Sequence, residues 1–187
     1  EASCQKLQSF AEINNLPVGC SFRCQDYFDN RHPNYVGHIG IGLSNSLKDR
    51  IQNSDLLVVV GARLGEITTS GYSLLEIPKP KQQLIHVHAG AEELGSVYQA
   101  DLPINASPRS FIDSVSQLKV SGSSRWTAST KLGNSDYLET LVPKAIPGDV
   151  QMGQIACWLN ETLPEDAIIC NGAGNYATWM HRFYQYR

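Results

Sequence analysis

The feature that most constrains the fold of this 187-residue chain is an unbroken aliphatic run, Leu56-Leu-Val-Val-Val60, bounded by Asp55 and Gly61. A strand with one face in water alternates apolar and polar residues, whereas a strand covered on both faces is a continuous Leu and Val run. We therefore predict a strand over residues 55–61 that is buried on both faces. Such strands are typical of parallel sheets, because the crossover helices cover both sides of the sheet.

Further segments alternate between helical and strand-like patterns. Helices are predicted over residues 4–14, 44–53, 108–118, 149–163 and 177–184, strands over 16–22, 83–88, 103–106 and 167–171, and a long loop over 26–44. Strands that alternate with helices predict an α/β fold, a doubly wound parallel sheet of the Rossmann-like kind. Ligands of such sheets bind in the crevice at the carboxyl ends of the strands.

The composition changes along the chain. Residues 119–148 are rich in Ser, Thr, Gly, Lys and Pro and offer few groups to bury, so we interpret them as an interdomain linker. Residues 1–118 then form the main domain. Residues 149–187 hold one strand and its flanking helices, too little to bury a core, and we interpret them as the truncated start of another domain.

Several classes of function are excluded by composition. Fifteen Lys and Arg against eighteen Asp and Glu give a net charge of -3 without a basic cluster, which argues against a nucleic-acid partner. No run approaches the ~18 apolar residues of a membrane span, and the first residues lack a signal-peptide pattern, so we expect a cytoplasmic protein. Five cysteines, an odd number, are expected to be free thiols.

One glycine-rich turn is a candidate phosphate site. Gly172-Ala-Gly-Asn-Tyr-Ala177 fits the pattern G-x-G-x-x-A between a predicted strand and a predicted helix. Glycines let the backbone approach a diphosphate, and a helix N-terminus presents free N–H groups to it. The pattern leaves three readings open: a dinucleotide site, a site for another phosphate-bearing cofactor, and a structural turn.

A second candidate crevice lies at the ends of the other predicted strands. Gly37-His-Ile-Gly-Ile-Gly42 lies in the long loop, and Gly61-Ala-Arg63 follows the aliphatic strand. Gly61 would admit a close ligand, and the planar guanidinium of Arg63 could pair with a phosphate. A surface ion pair of Arg63 is the alternative.

Metal sites are the weaker hypotheses. His86 and His88 share one face of a strand at i, i+2 spacing, but no third ligand follows at a useful spacing, so packing is favoured. Cys20 and Cys24 lie near two histidines, but the sequence has no second cysteine pair to complete a zinc site, so zinc is disfavoured.

The order of the segments resembles a known family. The runs LPVGCSF, HPNYVGHIGIG, SDLLVVVGARLGE, QLIHVHAGAEELG and ADLPINASPRSFI are similar to the central domain of thiamine diphosphate-dependent enzymes, in particular acetolactate synthase large subunits. The tail, LPEDAIICNGAGNYATWMHRFYQYR, resembles the start of the diphosphate-binding domain of that family. The family usually opens its central domain with a strand that precedes the helix predicted at 4–14, and this strand is missing here.

The resemblance implies two cofactor sites. Ala173, Gly174, Asn175 and Tyr176 match positions that contact thiamine diphosphate, although Gln and His are usual at the last two. Positions that contact FAD in acetolactate synthases match Ile39, Gly40, Ile41, Gly61 and Arg63. Gly42 stands where that family has His, and His88 and Gly90 replace two aspartates. Relatives hold ADP, a coenzyme A ester or nothing in the same crevice, so FAD is one of several expectations.

The resemblance also implies an activity for the longer protein. A thiamine diphosphate-dependent carboligase or decarboxylase would bind Mg²⁺, act on a small 2-oxo acid and assemble as a homo-oligomer. The activating glutamate belongs to another domain of the family, and its metal motif falls beyond Arg187, so this chain is expected to carry no catalytic and no metal residue and to be inactive alone. The alternative is a non-catalytic nucleotide-binding or regulatory α/β domain.

Overall fold

The computed structural model describes residues 2–187, with the side chains of 123 and 124 left aside. Within the described residues, six α-helices and five strands follow one another, with short 3-10 turns between some of them. In chain order they are α1 (Ala2–Asn14), β1 (Val18–Ser21), β2 (Tyr35–Ile39), α2 (Asn45–Gln52), β3 (Leu56–Val60), β4 (Gln83–His88), β5 (Leu102–Asn105), α3 (Pro108–Val115), α4 (Thr127–Thr140), α5 (Met152–Thr162) and α6 (Ala177–Phe183).

All strand pairs in these sheets are parallel. β1 pairs with β2 in a two-stranded sheet, and β3, β4 and β5 form a three-stranded sheet in that order. Successive residues of β2 pack into two different cores, one on each face of the strand. Val36 packs with Leu47 of α2 in one core, and Tyr35 packs with Ala11 of α1 in the other. Because helices cover both sides of β2, the predicted doubly wound parallel α/β fold is confirmed.

The core that contains Val36 and Leu47 also joins the two sheets. Val36 from the two-stranded sheet lies in the same cluster as Val59 and Leu84 from the three-stranded sheet, with Ile51 of α2 beside them. Ser44 caps α2, because its hydroxyl accepts a hydrogen bond from the backbone N–H of Leu47. The capped helix therefore bridges the two sheets on one side.

The prediction of a loop over residues 26–44 was wrong for its second half. Residues 35–39 form β2, which pairs with β1. The glycine and the polar residues of this segment weaken its strand-like pattern in the sequence. Tyr35, Val36 and His38 are nevertheless all buried. Tertiary packing on both sides of the strand outweighs its weak local pattern.

The expectation that residues 119–148 bury little was also wrong. They contain α4, whose Thr130, Gly133 and Tyr137 are buried at helical spacing. The Asn134 amide donates to the backbone carbonyl of Tyr35, 2.8 Å away, so the helix covers the outer edge of β2. Two of these three residues are Thr and Gly, so a search for apolar periodicity does not detect the buried stripe.

The C-terminal region departs from prediction at two places. Residues 167–171 are not a strand: no strand of the described residues pairs with them, and Ile168 is 90% exposed. α5 begins at Met152 rather than after Asp149, because the Gln151 amide bonds to the carbonyls of Ile146 and Gly148 and holds that turn outside the helix.

The aliphatic strand β3 is buried on one face only, which corrects the prediction of two buried faces. Val59 is 9% exposed and lies in the core, but Leu56 and Val58 on the opposite face are 46% and 44% exposed. No helix of the described residues is both long enough and apolar enough to cross a membrane.

Candidate functional site

The predicted nucleotide crevice is built from the loops that leave β2 and β3. Ile39 and Leu43 from the first loop and Ala62 and Leu64 from the second pack against the same core cluster. The structure therefore places residues 39–41 and 61–63 at the carboxyl ends of β2 and β3, two strands that pack on one core. This is the edge where open α/β sheets bind their ligands.

Two glycines give these loops their shape. Gly40 has φ +117° and Gly61 has φ +75°, conformations that L side chains rarely adopt. A Cβ at Gly40 would strike the ring of Phe22, and a Cβ at Gly61 would strike Pro108. Close packing within the chain thus accounts for both glycines, and at these two positions only backbone groups can face a ligand.

Two buried histidines hold the same two loops. His38 Nε2 donates to the carbonyl of Ile41, and His86 Nε2 donates to the carbonyl of Ala62, each over 3.0 Å. Burial lowers the pKa of His38 to about 4 and also lowers the pKa of His86, so both rings are neutral at neutral pH. Sequence reasoning missed this positioning role; the available signal was a histidine inside an otherwise apolar strand.

Arg63 is the cationic group predicted for the crevice. Its side chain is 73% exposed and forms an ion pair with the carboxylate of Glu93, with 2.9 Å between Nε and Oε2. The structure thus shows the surface ion pair that was the alternative to phosphate binding. An exposed pair of this kind contributes roughly 0–1 kcal/mol, so a phosphate could displace Glu93 at low cost.

The glycine-rich turn before α6 is exposed but closed on itself. The Tyr176 ring folds back over Gly172 and Gly174, where a side chain would strike it. The backbone N–H groups of Ala177, Thr178 and Trp179 already donate to the carbonyls of residues 174, 175 and 176. In this arrangement Ala173, Gly174, Asn175 and Tyr176 do not accommodate a diphosphate, because the Tyr176 ring occupies the space above the glycines.

The helix after this turn contacts the crevice end of the molecule. His181 of α6 packs edge-on against Phe22, with ring centroids 5.5 Å apart, and its ring lies 3.4 Å from the Gln25 amide. Phe22 in turn supports Gly40. The tail and the loop after β2 are therefore joined through one aromatic side chain, which sequence reasoning did not foresee.

The histidines and cysteines considered as metal ligands have other surroundings. Among the described residues, no group of three His, Cys, Asp or Glu side chains is arranged to hold a metal ion. His86 and His88 have ring centroids 6.1 Å apart. His86 donates to the carbonyl of Ala62 in the loop after β3, and His88 accepts from the backbone N–H of Gly90 in the loop after β4. Burial raises the pKa of the Cys20 thiol to about 12, which keeps it protonated and a poor ligand.

Comparison with known proteins places this fold in a family. Residues 1–115 match the family model described as thiamine pyrophosphate enzyme, central domain. The chain belongs to the thiamine pyrophosphate enzyme family. The resemblance drawn from the sequence segments is thereby confirmed.

Curated relatives of this family match beyond the central domain. The acetolactate synthase large subunit of Corynebacterium glutamicum is 26% identical over 96% of this chain and 29% of its own length. An acetolactate synthase of Mycobacterium avium is 25% identical over 100% of the chain and 30% of its own length. The 3D-(3,5/4)-trihydroxycyclohexane-1,2-dione hydrolase of Clostridium perfringens is 22% identical over 97% and 32%. The chain thus spans about 30% of the length of these relatives.

Proposed function

We propose that this chain is the central region of a longer thiamine diphosphate-dependent carboligase or decarboxylase that acts on a small 2-oxo acid, similar to acetolactate synthase. The observation that carries the proposal is that the family match over residues 1–115 continues, in the relatives, through the whole tail. We further propose that the longer protein is a homo-oligomer in the cytoplasm and that it binds Mg²⁺ together with its cofactor. We assign no catalytic residue to this chain.

The thiamine diphosphate turn would contribute only part of a site. The cofactor supplies the carbanion chemistry when it is bound. Residues 173–176 are proposed to form one wall beside its diphosphate, which requires the Tyr176 ring to leave Gly172 and Gly174. The other walls of the site are proposed to come from other domains of the longer protein.

The crevice at Ile39, Gly40, Ile41, Gly61 and Arg63 is proposed to hold a nucleotide, with FAD as the first candidate. The carboxyl-end position, the two shaped loops and the exposed guanidinium support this proposal. The loops supply backbone groups to the ligand, and Arg63 supplies the only side-chain charge among these five residues.

Turnover by the longer protein tests the enzymatic proposal. Purified protein with thiamine diphosphate, Mg²⁺ and pyruvate is expected to release carbon dioxide, whereas the 187-residue chain under the same conditions is expected to release none. Flavin absorption bands in the purified protein would support FAD. Nucleotide binding without turnover of pyruvate or of other 2-oxo acids would instead support the non-catalytic nucleotide-binding alternative.

The role of Arg63 is tested separately in the longer protein. Arg63→Ala is expected to weaken FAD or ADP binding by about 1–3 kcal/mol, a 5- to 150-fold rise in the dissociation constant, since a charge-assisted contact is lost. Calorimetric titration measures the constant. Arg31→Ala is the matched control, because Arg31 also forms an exposed ion pair, with Asp29, outside the crevice. Equal constants for wild type and Arg63→Ala would remove Arg63 from the site.

A further inference from the structure

A cavity lies at the amino ends of β3 and β4, at the opposite edge of the sheet from the nucleotide crevice. Its volume is about 300 Å³, and small-molecule sites in proteins occupy roughly 300–1,000 Å³. The end of α2 forms one wall through Gln52 and Asn53, and residues 73–76 and 81–82, which precede β4, form the other. We name this space the amino-end cavity.

Packing and hydrogen bonds hold both walls in place. Leu74 and Leu75 are buried and belong to the core cluster. The Gln82 amide donates to the carbonyls of Ile51 and Gln52 over 3.0 and 3.1 Å, which fastens the segment ahead of β4 to the last turn of α2. The cavity is therefore formed before any ligand enters it, as most small-molecule sites are.

The Gln82 side chain carries a polar atom that lacks a partner. Gln82 is 3% exposed, and within the described part of the chain its Oε1 accepts no hydrogen bond. Buried polar atoms nearly always have a partner, so an unpaired one calls for an explanation. Because Gln82 also lines the cavity, a ligand that brings an N–H donor to this wall would supply the missing bond.

Two opposite charges line the same cavity without pairing. Glu76 and Lys81 are exposed residues of its wall, and neither takes part in any ion pair of the described residues. Lys79, which lies between them in the sequence, pairs with Asp101 at 2.6 Å. An unpaired anion and an unpaired cation at one cavity complement a ligand that carries both charges.

The backbone that enters the cavity wall is strained. Ser70, Gly71 and Tyr72 have φ +52°, +68° and +61°, and they directly precede Ser73 of the wall. Three successive left-handed residues are unusual, and a bulky side chain such as Tyr72 is an outlier there. Strain of this kind concentrates at ligand sites. Neither the crevice nor the glycine-rich turn includes this segment, so its conformation supports a role for the cavity.

We propose that the amino-end cavity binds a small zwitterion, whose ammonium group pairs with Glu76 and whose carboxylate pairs with Lys81. The amide groups of Gln52, Asn53 and Gln82 then face the part of the ligand between its two charges. The cavity and the nucleotide crevice lie at opposite ends of the strands, so this proposal stands independently of the proposed function.

A series of amino acids tests the charge requirement in the longer protein. Glycine, β-alanine, γ-aminobutyrate and ε-aminocaproate carry both charges at increasing separation, whereas butyrate and butylamine carry one each. Calorimetric titration is expected to give a dissociation constant below about 1 mM for at least one zwitterion, and a constant at least tenfold higher for each singly charged compound. Binding of no zwitterion, or equal binding of a singly charged compound, would overturn the proposal.

Substitutions assign the two charges. Glu76→Gln and Lys81→Gln are each expected to raise the dissociation constant of the best zwitterion at least tenfold. Lys79→Gln is the matched control, because this exposed lysine of the same segment pairs with Asp101 and lies outside the cavity wall. Urea unfolding verifies that all three variants remain folded. Equal constants in Lys81→Gln and Lys79→Gln would remove Lys81 from the site and overturn the proposal.

Hydrogen exchange locates the bound zwitterion and does not depend on any variant. Saturating ligand is expected to slow backbone exchange in residues 73–82, which form or adjoin the cavity wall. Slowed exchange confined to residues 39–41 and 61–63 would place the ligand in the nucleotide crevice instead, and would overturn the proposal without bearing on the proposed reaction.

Discussion

One buried histidine holds each of the two loops of the predicted crevice. His38 and His86 each donate one hydrogen bond to a loop carbonyl from a buried position in or next to a core. A neutral imidazole satisfies this role with one N–H, whereas a protonated ring would place a charge in a site that water does not reach. The same residues that shape the loops therefore make the fold sensitive to acid.

The pH dependence of stability follows from the folded-state pKa of His38. Burial lowers this pKa from the ordinary 6.5 to about 4, so the unfolded chain binds the proton more readily. The contribution of neutral His38 to the free energy of unfolding is fully present above pH 6.5. It is lost as the pH falls from 6.5 towards 4, which lowers that free energy by on the order of 3 kcal/mol. Urea unfolding at pH 7.5 and 4.5, followed by tryptophan fluorescence, measures the change.

A substitution isolates the contribution of His38. His38→Gln is expected to reduce the loss of unfolding free energy between these two pH values, because the amide can donate to the Ile41 carbonyl without titrating. His88→Gln, which leaves His38 in place, is the control. A pH dependence that is the same in His38→Gln as in wild type would show that other groups cause it, such as His181, whose pKa burial also lowers.

Among the secondary-structure elements, α4 shows how close packing replaces apolar patterning. Gly133 lets the helix approach β2 and α2, because a Cβ there would lie 2.8 Å from the Arg50 guanidinium and 2.9 Å from Val36. Arg50 then bonds to the carbonyl of Ser129 and to Asp136. A glycine and a partly buried ion pair, rather than a row of leucines, attach this helix.

Gly133→Ala is expected to lower the free energy of unfolding by about 1–3 kcal/mol, because the added methyl group overpacks the contact between α4 and β2. The general helix preference for Ala would by itself have the opposite sign. Gly65→Ala is the matched control, since a Cβ at that position meets no atom within 4 Å. Denaturant unfolding compares the two variants, and equal stability of both would contradict the packing role of Gly133.

At the scale of the whole molecule, the C-terminal tail docks onto the central domain. Asn30 is fully buried, and its side chain donates to the carbonyls of Gln25 and Phe28 and accepts from the backbone N–H of Tyr186. The backbone N–H of Asn30 also donates to the carbonyl of Tyr186, over 2.9 Å. One buried asparagine thus joins the loop after β1 to the last residues of the chain.

Asn30→Ala is expected to free the tail. Loss of the side-chain oxygen leaves the Tyr186 amide without its partner, and amide hydrogen exchange there should accelerate at least tenfold, which corresponds to about 1.4 kcal/mol. Asn34→Ala is the control: Asn34 lies in the same loop, but its side chain bonds to the carbonyls of Ala11 and Leu16 at the other end. Exchange measured by mass spectrometry at residues 184–187 tests the prediction, and equal rates in the two variants would contradict it.

The sequence by itself determined the parallel α/β class, most of the helix and strand positions, and the family. The aliphatic run at 56–60, the alternation of helical and strand-like segments and the order of the motifs carried that information, because local periodicity reflects which faces are buried. It also indicated the two loops, at residues 39–41 and 61–63, that meet at the crevice end.

Only the tertiary structure decided which faces those elements bury. The sequence did not predict β2 and α4, because small and polar residues such as Gly133 and Asn134 make the contacts between them. Such residues leave no apolar periodicity in the sequence. Leu56 and Val58 of the aliphatic run, predicted to be buried, are 46% and 44% exposed because the core packs against the opposite face of β3, through Leu57 and Val59. Burial depends on neighbours distant in the sequence, so the composition of residues 56–60 indicated a strand while only the structure showed which of its faces is buried.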